Sequence, residues 1–376
     1  MAKLKFKILM PDELENKVCV IVGTRPGIIK FSPIIRELVS RDIPFFLIHT
    51  GQHYSYEMDK KFFEELNLPE PAYKLKGIRR CRLHGEQTGR MLIGIEKALI
   101  IEKPKIVLVG GDANTNLAGA LAARKLHIYV GHVEAGLRSY DWRMPEEHNR
   151  VMIDHISDYL FAPTELAKQN LIRDNVRGKI YVVGNTIVDA VKQNLQIAKT
   201  KSEILRKLVL KPRKYFVLTV HREENVDFPE NLKKIIKILY LITKHFGYPI
   251  IFPIHPRTRK RIKSLGLKMP RSVIVTKPLG YLDFLSLLYN CLLVLTDSGG
   301  IQEEACIVKV PCVTLRESTE RPETVSVGSN IVTGLVPENV LNAIDIMISS
   351  KREWKNPFGE NVSKKIINII EREVLK

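Results

Sequence analysis

The chain has 376 residues, enough for two domains at the usual ~100 to 200 residues each, and 45% of its residues are hydrophobic. Its 59 Lys and Arg residues outnumber its 41 Asp and Glu residues, and the net charge of +18 favours anionic ligands such as phosphates, nucleic acid or acidic lipid. The longest apolar stretch, residues 285–295, is far shorter than the ~20 residues that cross a bilayer, so no transmembrane helix is predicted.

The N-terminal region and the cysteines indicate the cellular compartment. Three early lysines are followed, after three or four apolar residues, by the acidic Asp12, Glu13 and Glu15, so no apolar region of signal-peptide length exists and we expect a cytoplasmic protein. The cysteines show neither a CxxC motif nor the spacing of a Cys/His metal site, which predicts free, mostly buried thiols and no bound metal. They are Cys19, Cys81, Cys291, Cys306 and Cys312.

Short β-branched runs alternate with helical periodicity along almost the whole chain. This pattern is typical of βα units that build a parallel sheet with helices on both faces, so the predicted class is α/β with two doubly wound domains. The strands predicted for the first sheet are residues 18–22, 45–49, 106–109, 128–133, 159–162 and 180–183. Those predicted for the second sheet are residues 215–220, 250–254, 273–275, 292–296, 312–315 and 331–332.

A charged helical stretch between the two sets of strands marks the domain boundary. Residues 193–213 have little core pattern, which places the boundary near residues 184–189. We expect a first domain of residues 1–185 and a second of residues 186–356. A last amphipathic segment, residues 357–376, is expected to pack back on the first domain.

Polar residues follow the predicted strands of the first domain, at the sheet edge where open α/β sheets bind ligands. Arg25 and Lys30 lie at a predicted helix start after the first strand, where an anion is favoured; a turn with solvated charges is the alternative. Asp112 and Glu134 end neighbouring strands. Each is either a reacting carboxylate or a structural group, such as a helix cap or an ion-pair partner of Arg138.

The second predicted domain repeats this arrangement. His221 and Arg222 end its first strand and His255 ends the next; histidine exchanges protons near neutral pH and arginine holds phosphate, although structural histidines fit equally well. A more specific motif runs from Asp297 to Glu304. Its strand, glycine turn and helix start predict a phosphate cradle of backbone N–H groups, with Glu304 suited to ribose hydroxyls.

Two basic runs, residues 79–82 and 257–263, raise the alternative of RNA binding. Neither run is interleaved with the aromatic residues that stack on bases. Both are therefore interpreted as solvated or oligomer surfaces, and neither a nucleic-acid nor a membrane partner is expected.

A series of motifs, in order along nearly the whole chain, resembles the non-hydrolysing UDP-N-acetylglucosamine 2-epimerases. The motifs are GTRPGIIK (23–30), GQHY (51–54), HGEQTG (84–89), GGDANT (110–115), HVEAGLRS (132–139), PEEHNR (145–150), GNT (184–186), HREEN (221–225), DSGGIQEEA (297–305) and ERPE (320–323). The resemblance implies a homodimer with a glycosyltransferase-B type fold, in which two Rossmann-like domains face a central cleft. It also implies reversible conversion of UDP-GlcNAc into UDP-ManNAc without a cofactor, by elimination of UDP to 2-acetamidoglucal and its re-addition. The product would feed surface polysaccharide or glycoprotein glycans.

By the same resemblance, two sets of residues fall on functional positions of the family. Those at catalytic positions are Arg25, Lys30, Asp112, Glu134, Glu146 and His221. Those at substrate-binding positions are Arg222, His255, Phe284, Ser298, Gly299, Gly300, Glu304, Glu320 and Arg321. Phe284 matches the uracil contact, and Ser298, Gly299, Gly300 and Glu304 match the UDP site. Gln52 matches an allosteric position that binds a second UDP-GlcNAc in bacterial relatives, whereas Ser55 replaces a glutamine found in some of them.

The chain departs from the family pattern at three places. Gly27 replaces a usual glutamate, Ala113 replaces a usual threonine, and residues 78–82 form a more basic loop. Two alternatives stay open beside the epimerase. One is a related enzyme of the same fold that hydrolyses UDP-GlcNAc or transfers a sugar, and the other is a nucleotide-sugar or nucleic-acid binding protein without catalysis.

Overall fold

The computed structural model describes residues 8–54 and 56–376. The N-terminal lysines Lys3, Lys5 and Lys7, and the replaced glutamine position at Ser55, lie outside the described residues. The chain divides into two compact units. The first comprises the described residues up to Ala190 together with Phe358–Lys376, and the second comprises Val191–Pro357.

The first unit is built on a parallel sheet, with seven strands in the part of the chain that is described. The strands are β1 (Glu15–Val22), β2 (Phe45–His49), β3 (Tyr73–Lys74), β4 (Pro104–Gly110), β5 (Tyr129–Val133), β6 (Tyr159–Ala162) and β7 (Lys179–Val182). Their spatial order is β3-β2-β1-β4-β5-β6-β7. The order reverses between β1 and β4, and open α/β sheets bind ligands at the carboxyl ends of strands at such a reversal.

The second unit has the same construction, with six parallel strands. They are β8 (Phe216–Thr219), β9 (Ile250–Pro253), β10 (Val273–Thr276), β11 (Leu293–Thr296), β12 (Cys312–Thr314) and β13 (Asn330–Val332). Their order, β10-β9-β8-β11-β12-β13, reverses between β8 and β11. The core lies between this sheet and its helices, because the apolar residues of β8, β9 and β11 are buried.

Helices alternate with the strands along the chain. They are α1 (Arg25–Ser40), α2 (Tyr56–Glu65), α3 (His84–Glu102), α4 (Asn114–Lys125), α5 (Pro145–Ile156), α6 (Glu165–Arg173), α7 (Ile187–Lys201), α8 (Ile204–Lys207), α9 (Glu223–Val226), α10 (Pro229–Phe246), α11 (Pro256–Ser264), α12 (Tyr281–Asn290), α13 (Gly299–Ile307), α14 (Pro322–Ser326), α15 (Pro337–Ser349) and α16 (Val362–Ile370). Short 3-10 helices span Pro11–Glu13 and Ile78–Arg80, and a π-helical turn, Glu371–Leu375, follows α16. Within the first unit α16 lies on α1, where Arg41 Nη1 donates to Asn368 Oδ1 at 2.7 Å. Over the described residues, no helix has both the length and the apolar character needed to cross a membrane.

Helix α1 begins directly after β1, at the sheet reversal. Its N-cap Thr24 accepts a bond from Gly27 N at 3.2 Å and satisfies one of the N–H groups that a helix start leaves without an intrahelical partner. Pro33 inside the helix has no N–H for the carbonyl of Ile29, and Ser32 Oγ donates to that carbonyl instead, at 2.8 Å. The helix therefore stays continuous past the proline.

The predicted α/β class, with two parallel Rossmann-like sheets, is confirmed. Each predicted strand overlaps a strand of the structure, with ends that differ by at most three residues. Strand β3 was not predicted, because its two residues at the sheet edge are too few to show a period. Residues 193–213 have little core pattern in the sequence, yet Leu195 and Ala198 of α7 and Ile204 of α8 are buried, because the charged residues between them obscure the pattern.

Candidate active site

Arg25 opens α1 beside the carboxyl end of β1. Its Nε donates to Asp59 Oδ1 at 3.0 Å, and its guanidinium carbon lies 4.3 Å from the ring centre of Tyr54. Asp59 is fully buried, and its other oxygen lies 3.2 Å from His49 Nε2. The side chain of Arg25 is 42% exposed, so the protein orients the guanidinium but leaves it open to an anionic ligand.

Lys30 and Glu134 form an ion pair, with 2.5 Å between Nζ and Oε2. Glu134 is buried, and Asn185 Nδ2 donates to its other carboxylate oxygen at 3.0 Å. Glu134 also has a φ of 69°, in the left-handed region that is costly for residues other than glycine. Such strain persists where surrounding contacts enforce it, and it is common at functional sites.

Asp112 follows the end of β4 and pairs with Arg150 of α5, with 2.5 Å between Oδ2 and Nη2. Arg150 also contacts Glu147 at 2.7 Å, and Asn149 Nδ2 donates to the carbonyl of Asp112 at 2.8 Å. Burial would lower the pKa of Arg150, but the charges of Asp112 and Glu147 raise it overall. Helix α5 therefore holds both the backbone and the carboxylate of Asp112.

Three of the residues predicted in the first unit lie near the ends of β4 and β5. Gly111, which precedes Asp112, packs against Glu134, because a Cβ placed on this glycine would lie 3.4 Å from Glu134 Oε2. The structure thus places the Lys30–Glu134 pair beside the turn that carries Asp112. The alternative in which either acid pairs with Arg138 is wrong, since Arg138 pairs with two other aspartates at 2.7 and 2.8 Å.

Glu146 and Gln52 have different surroundings from that group. Glu146 is exposed in the first turn of α5, whereas the neighbouring Glu147 is buried.

Gln52 Oε1 accepts bonds from Thr115 N at 2.9 Å and from Thr115 Oγ1 at 2.7 Å. Ala113, at the N-cap of α4, has no hydroxyl, so Gln52 satisfies a helix-start N–H that a threonine at that position would normally satisfy.

In the second unit, Asp297 follows β11 at the sheet reversal and is fully buried. Its carboxylate accepts bonds from the backbone N–H groups of His221 and Arg222, both at 3.0 Å, and His221 Nδ1 lies 3.3 Å from Oδ1. Burial raises the pKa of Asp297, but the contacts with His221 and the backbone bonds lower it overall. A buried carboxylate that orients a partly exposed imidazole is suited to proton transfer.

His255 follows β9 by two residues and is the N-cap of α11, where its Nδ1 accepts a bond from Arg257 N at 3.3 Å. Its ring centre lies 6.2 Å from that of His221. Burial lowers the pKa of His255, as do the neighbouring charges of His221 and Arg257, which favours a neutral ring at pH 7.

Phe284, the predicted uracil contact, is half-buried on α12.

Helix α13 begins directly after β11, with Ser298 at its N-cap. The amide of Ser298 donates to Thr296 Oγ1 at 3.0 Å, so the predicted cradle is smaller than expected and its available amides begin at Gly299. A Cβ added at Gly300 would meet no atom within 4 Å, which lets a ligand approach the backbone there. Glu304 is buried one turn further along.

The loop after β12 surrounds this helix start with charged groups. Arg316 donates to both oxygens of Glu320, at 2.8 and 3.0 Å, and Arg222 Nη2 lies 4.0 Å from Glu320 Oε2. Burial alone would raise the pKa of Glu320, but Arg316 lowers it to about 2. Arg321 Nε donates to Glu303 Oε1 at 2.7 Å. A Cβ placed on Gly299, the first residue of α13, would lie 3.7 Å from Glu320 and 3.8 Å from Arg321, so both side chains border the helix start.

Two functional candidates were missed from the sequence, Arg150 and Asp297. Asp297 directly follows a strand, as Asp112 nearly does, and that position is the signal that would have found it. Arg150 lies three residues after Glu147, on the same face of α5, which is a weaker signal. Among the residues that the structure describes, no group of three His, Cys, Asp or Glu side chains is arranged to hold a metal ion.

Comparison with known proteins identifies the family. The family model described as UDP-N-acetylglucosamine 2-epimerase matches residues 36–371. The UDP-N-acetylglucosamine 2-epimerase of Methanocaldococcus jannaschii is 56% identical over 363 residues, covering 94% of this chain and 98% of the relative. That of Methanococcus maripaludis is 55% identical over 362 residues, with the same coverage of 94% and 98%.

Solved structures agree with this assignment. The crystal structure of the M. jannaschii UDP-GlcNAc 2-epimerase in complex with UDP-GlcNAc and UDP matches with a TM-score of 0.84 and 55% identity, covering 95% of this chain and 99% of that one. A glycotransferase of kitacinnamycin matches at 11% identity with a TM-score of 0.61, a likeness of fold alone, over 96% of this chain and 99% of that one. The fold is thus of the glycosyltransferase-B type. The chain belongs to the UDP-N-acetylglucosamine 2-epimerase family.

Proposed function

We propose that this chain interconverts UDP-GlcNAc and UDP-ManNAc by inverting carbon 2 of the sugar. Its relative at 56% identity bears the name of that activity. The observation that carries the proposal is the grouping of Lys30, Glu134 and Asp112 at the sheet reversal of the first unit. Two carboxylates and a cation in this arrangement support a role in removing the proton from carbon 2.

Carbon 2 is not next to a carbonyl, so direct loss of its proton would leave a carbanion without resonance stabilisation. Elimination avoids this problem. The bond from carbon 1 to the UDP oxygen breaks, with its electron pair leaving on UDP, as a base removes the carbon 2 proton, and the products are 2-acetamidoglucal and UDP. UDP then adds back to carbon 1 while an acid delivers a proton to the opposite face of carbon 2.

The two faces of carbon 2 need separate proton-transfer groups, each worth ~10² to 10⁴ in rate. The proposed set is Asp112, Glu134, Glu146 and His221, of which one serves as the base and another as the acid. Arg150 holds the carboxylate of Asp112 in place, and Asp297 orients His221.

The leaving UDP gains negative charge, which fixed hydrogen-bond donors stabilise. We assign this role to Arg25, Arg222 and the amides of Gly299 and Gly300, which are assisted by the positive end of α13. Removal of one such donor is expected to lower turnover by about 10² to 10³. The remaining proposed substrate contacts are His255, Phe284, Ser298, Glu304, Glu320 and Arg321, with Phe284 on the uracil and Glu304 on the ribose.

We further propose a cytoplasmic homodimer whose product enters surface polysaccharide or glycoprotein synthesis. Free thiols in the described structure, four of them buried, suit a reducing compartment. Ile93 and Ile101 on α3 are 54% and 66% exposed, and such apolar side chains suit a contact with a second copy. Gln52 is proposed to contact an activating second UDP-GlcNAc.

Proton NMR of the purified protein with UDP-GlcNAc in heavy water tests the reaction, without added nicotinamide cofactor or metal. Formation of UDP-ManNAc, with deuterium at carbon 2 of both sugars, is the expected result. Release of free ManNAc and UDP would instead identify a hydrolase. An unchanged spectrum, even with UDP-GlcNAc in excess as an activator, would refute the epimerase and favour a sugar transferase or a binding protein.

A matched variant tests the donors at α13. Gly300→Pro removes one backbone N–H from the helix start, whereas Gly300→Ala keeps it and meets no atom within 4 Å. The proline variant is expected to lose affinity for UDP, measured by calorimetry, and the alanine variant to keep it. Equal affinities in the two variants would show that this amide does not bind the phosphates.

A further inference from the structure

A fully buried carboxylate in the first unit, that of Asp154 on α5, has no part in the proposed chemistry. Its Oδ1 lies 2.7 Å from His132 Nδ1, and its Oδ2 lies 2.7 Å from Arg138 Nη1. The same Oδ2 accepts a bond from Gly136 N at 3.2 Å. One carboxylate on a helix therefore contacts both strand β5 and the turn that follows it.

His132 links this carboxylate to the turn that carries Asp112. The ring is buried, and its Nε2 lies 3.1 Å from the carbonyl oxygen of Gly111. A carbonyl oxygen can only accept, so Nε2 supplies the N–H of the bond to Gly111. Gly111 N donates in turn to the carbonyl of Val133 at 3.0 Å. Gly111, the residue before Asp112, is thus held by β5 through both its N–H and its C=O.

Gly136 links the same carboxylate to the turn that carries Glu134. Glu134 and Gly136 have φ values of 69° and 81°, so this turn contains two left-handed residues. A Cβ at Gly136 would lie 2.2 Å from the carbonyl oxygen of Ala167, so the turn is also tightly packed. The bond from Gly136 N to Asp154 fixes the peptide two residues after Glu134.

We propose that His132 and Asp154 are positioning residues that set the backbone under Asp112 and Glu134 together. The inference rests on the proposed function, because it gives those two carboxylates their roles in proton transfer. A displacement of about 1 Å in a reacting group can lower the rate by about 10²-fold. The pair therefore acts on turnover through the geometry of both carboxylates.

Two substitutions of His132 separate its two hydrogen bonds. In His132→Gln the amide nitrogen takes the place of Nε2 and can still donate to Gly111, whereas in His132→Asn it takes the place of Nδ1 and can donate only to Asp154. We expect His132→Asn to lower kcat by about 10²-fold. The kcat of His132→Gln should be at least about ten times higher than that of His132→Asn. KM for UDP-GlcNAc and the affinity for UDP should stay close to wild type in both variants.

Each variant loses one buried bond, so similar falls in Tm are expected and do not explain a difference in kcat. Equal kcat values in the two variants, or a loss matched by a loss of folded protein, would overturn the proposal. Amide hydrogen exchange at residues 112–114 should be faster in His132→Asn than in His132→Gln. The exchange measurement tests the positioning even if the wild-type protein does not convert UDP-GlcNAc, a result that would refute the proposed function by itself.

Discussion

Replacement of Lys30 by methionine tests whether the ion pair with Glu134 is the structural basis of the first half of the site. The side chain of Glu134 is 3% exposed and that of Lys30 is 24% exposed, with 2.5 Å between the charged atoms. Removing one partner of a buried pair costs about 3 to 5 kcal/mol, because a charge is left without compensation in a poorly solvated site. Asn185 still donates to the carboxylate, so the lower limit of about 3 kcal/mol applies.

Scanning calorimetry at neutral pH measures this cost. For a unit of about 200 residues, ~3 kcal/mol corresponds to a fall of roughly 6 to 12 °C in the Tm of that unit. The double variant Lys30→Met/Glu134→Gln removes both charges and is expected to recover most of the loss. The control is Lys61→Met, since Lys61 is 85% exposed and its change should stay within about 0.5 kcal/mol. A Lys30→Met protein that melts like the control, or a double variant no more stable than Lys30→Met, would refute the reasoning.

Three further predictions concern acidic residues of the two units. Asp112→Asn is expected to lower kcat by about 10² to 10⁴ with unchanged UDP affinity by calorimetry, and near-normal turnover would remove Asp112 from the mechanism. Asp297→Asn should lower kcat by about tenfold or more and alter the pH profile, because His221 loses its charged partner; an unaltered profile would contradict this. Glu320 has its pKa lowered to about 2, where the bonds from Arg316 outweigh the opposing effect of burial. The stability that ionised Glu320 contributes is therefore fully present above 4.5, the pKa of this group in the unfolded chain. It is lost as the pH falls towards about 2, the pKa in the folded protein. Glu320→Gln should flatten the fall in Tm between about pH 5 and about pH 3, and an equally steep fall would argue against the Arg316 contact.

Sequence periodicity predicted the strands well because buried parallel strands are short, continuous apolar runs. Strands β2 and β6 have the predicted bounds, since both are buried almost throughout and end at polar residues or at a helix start. Sequence periodicity did not reveal the buried positions of α7. Leu195 and Ala198 are buried there, but charged residues share the same helix. Strand β3 has only two residues at the edge of the sheet and leaves no period to detect.

Position after a strand was the most useful signal for the site, because parallel strands bring their carboxyl ends to one edge of a sheet. It predicted Arg25, Asp112 and Glu134 as candidate site residues in the first unit and His221 in the second. It did not show that Gln52 supplies a helix-cap bond to Thr115, a contact between a loop and a helix 63 residues apart. Nor did it show that the amide of Ser298 is already bonded to Thr296.

The sequence by itself determined the α/β class, the positions of the described strands other than β3 and, through its motifs, the family to which the chain is similar. Only the tertiary structure decided which charged groups meet. Lys30 and Glu134 are 104 residues apart, and Arg150 reaches Asp112 across 38 residues. These pairings depend on the order of β1, β4 and β5 in the sheet and on how α5 packs against their ends. Local periodicity reports which face of a strand or helix is buried, but it contains no information about which distant element lies beside that face.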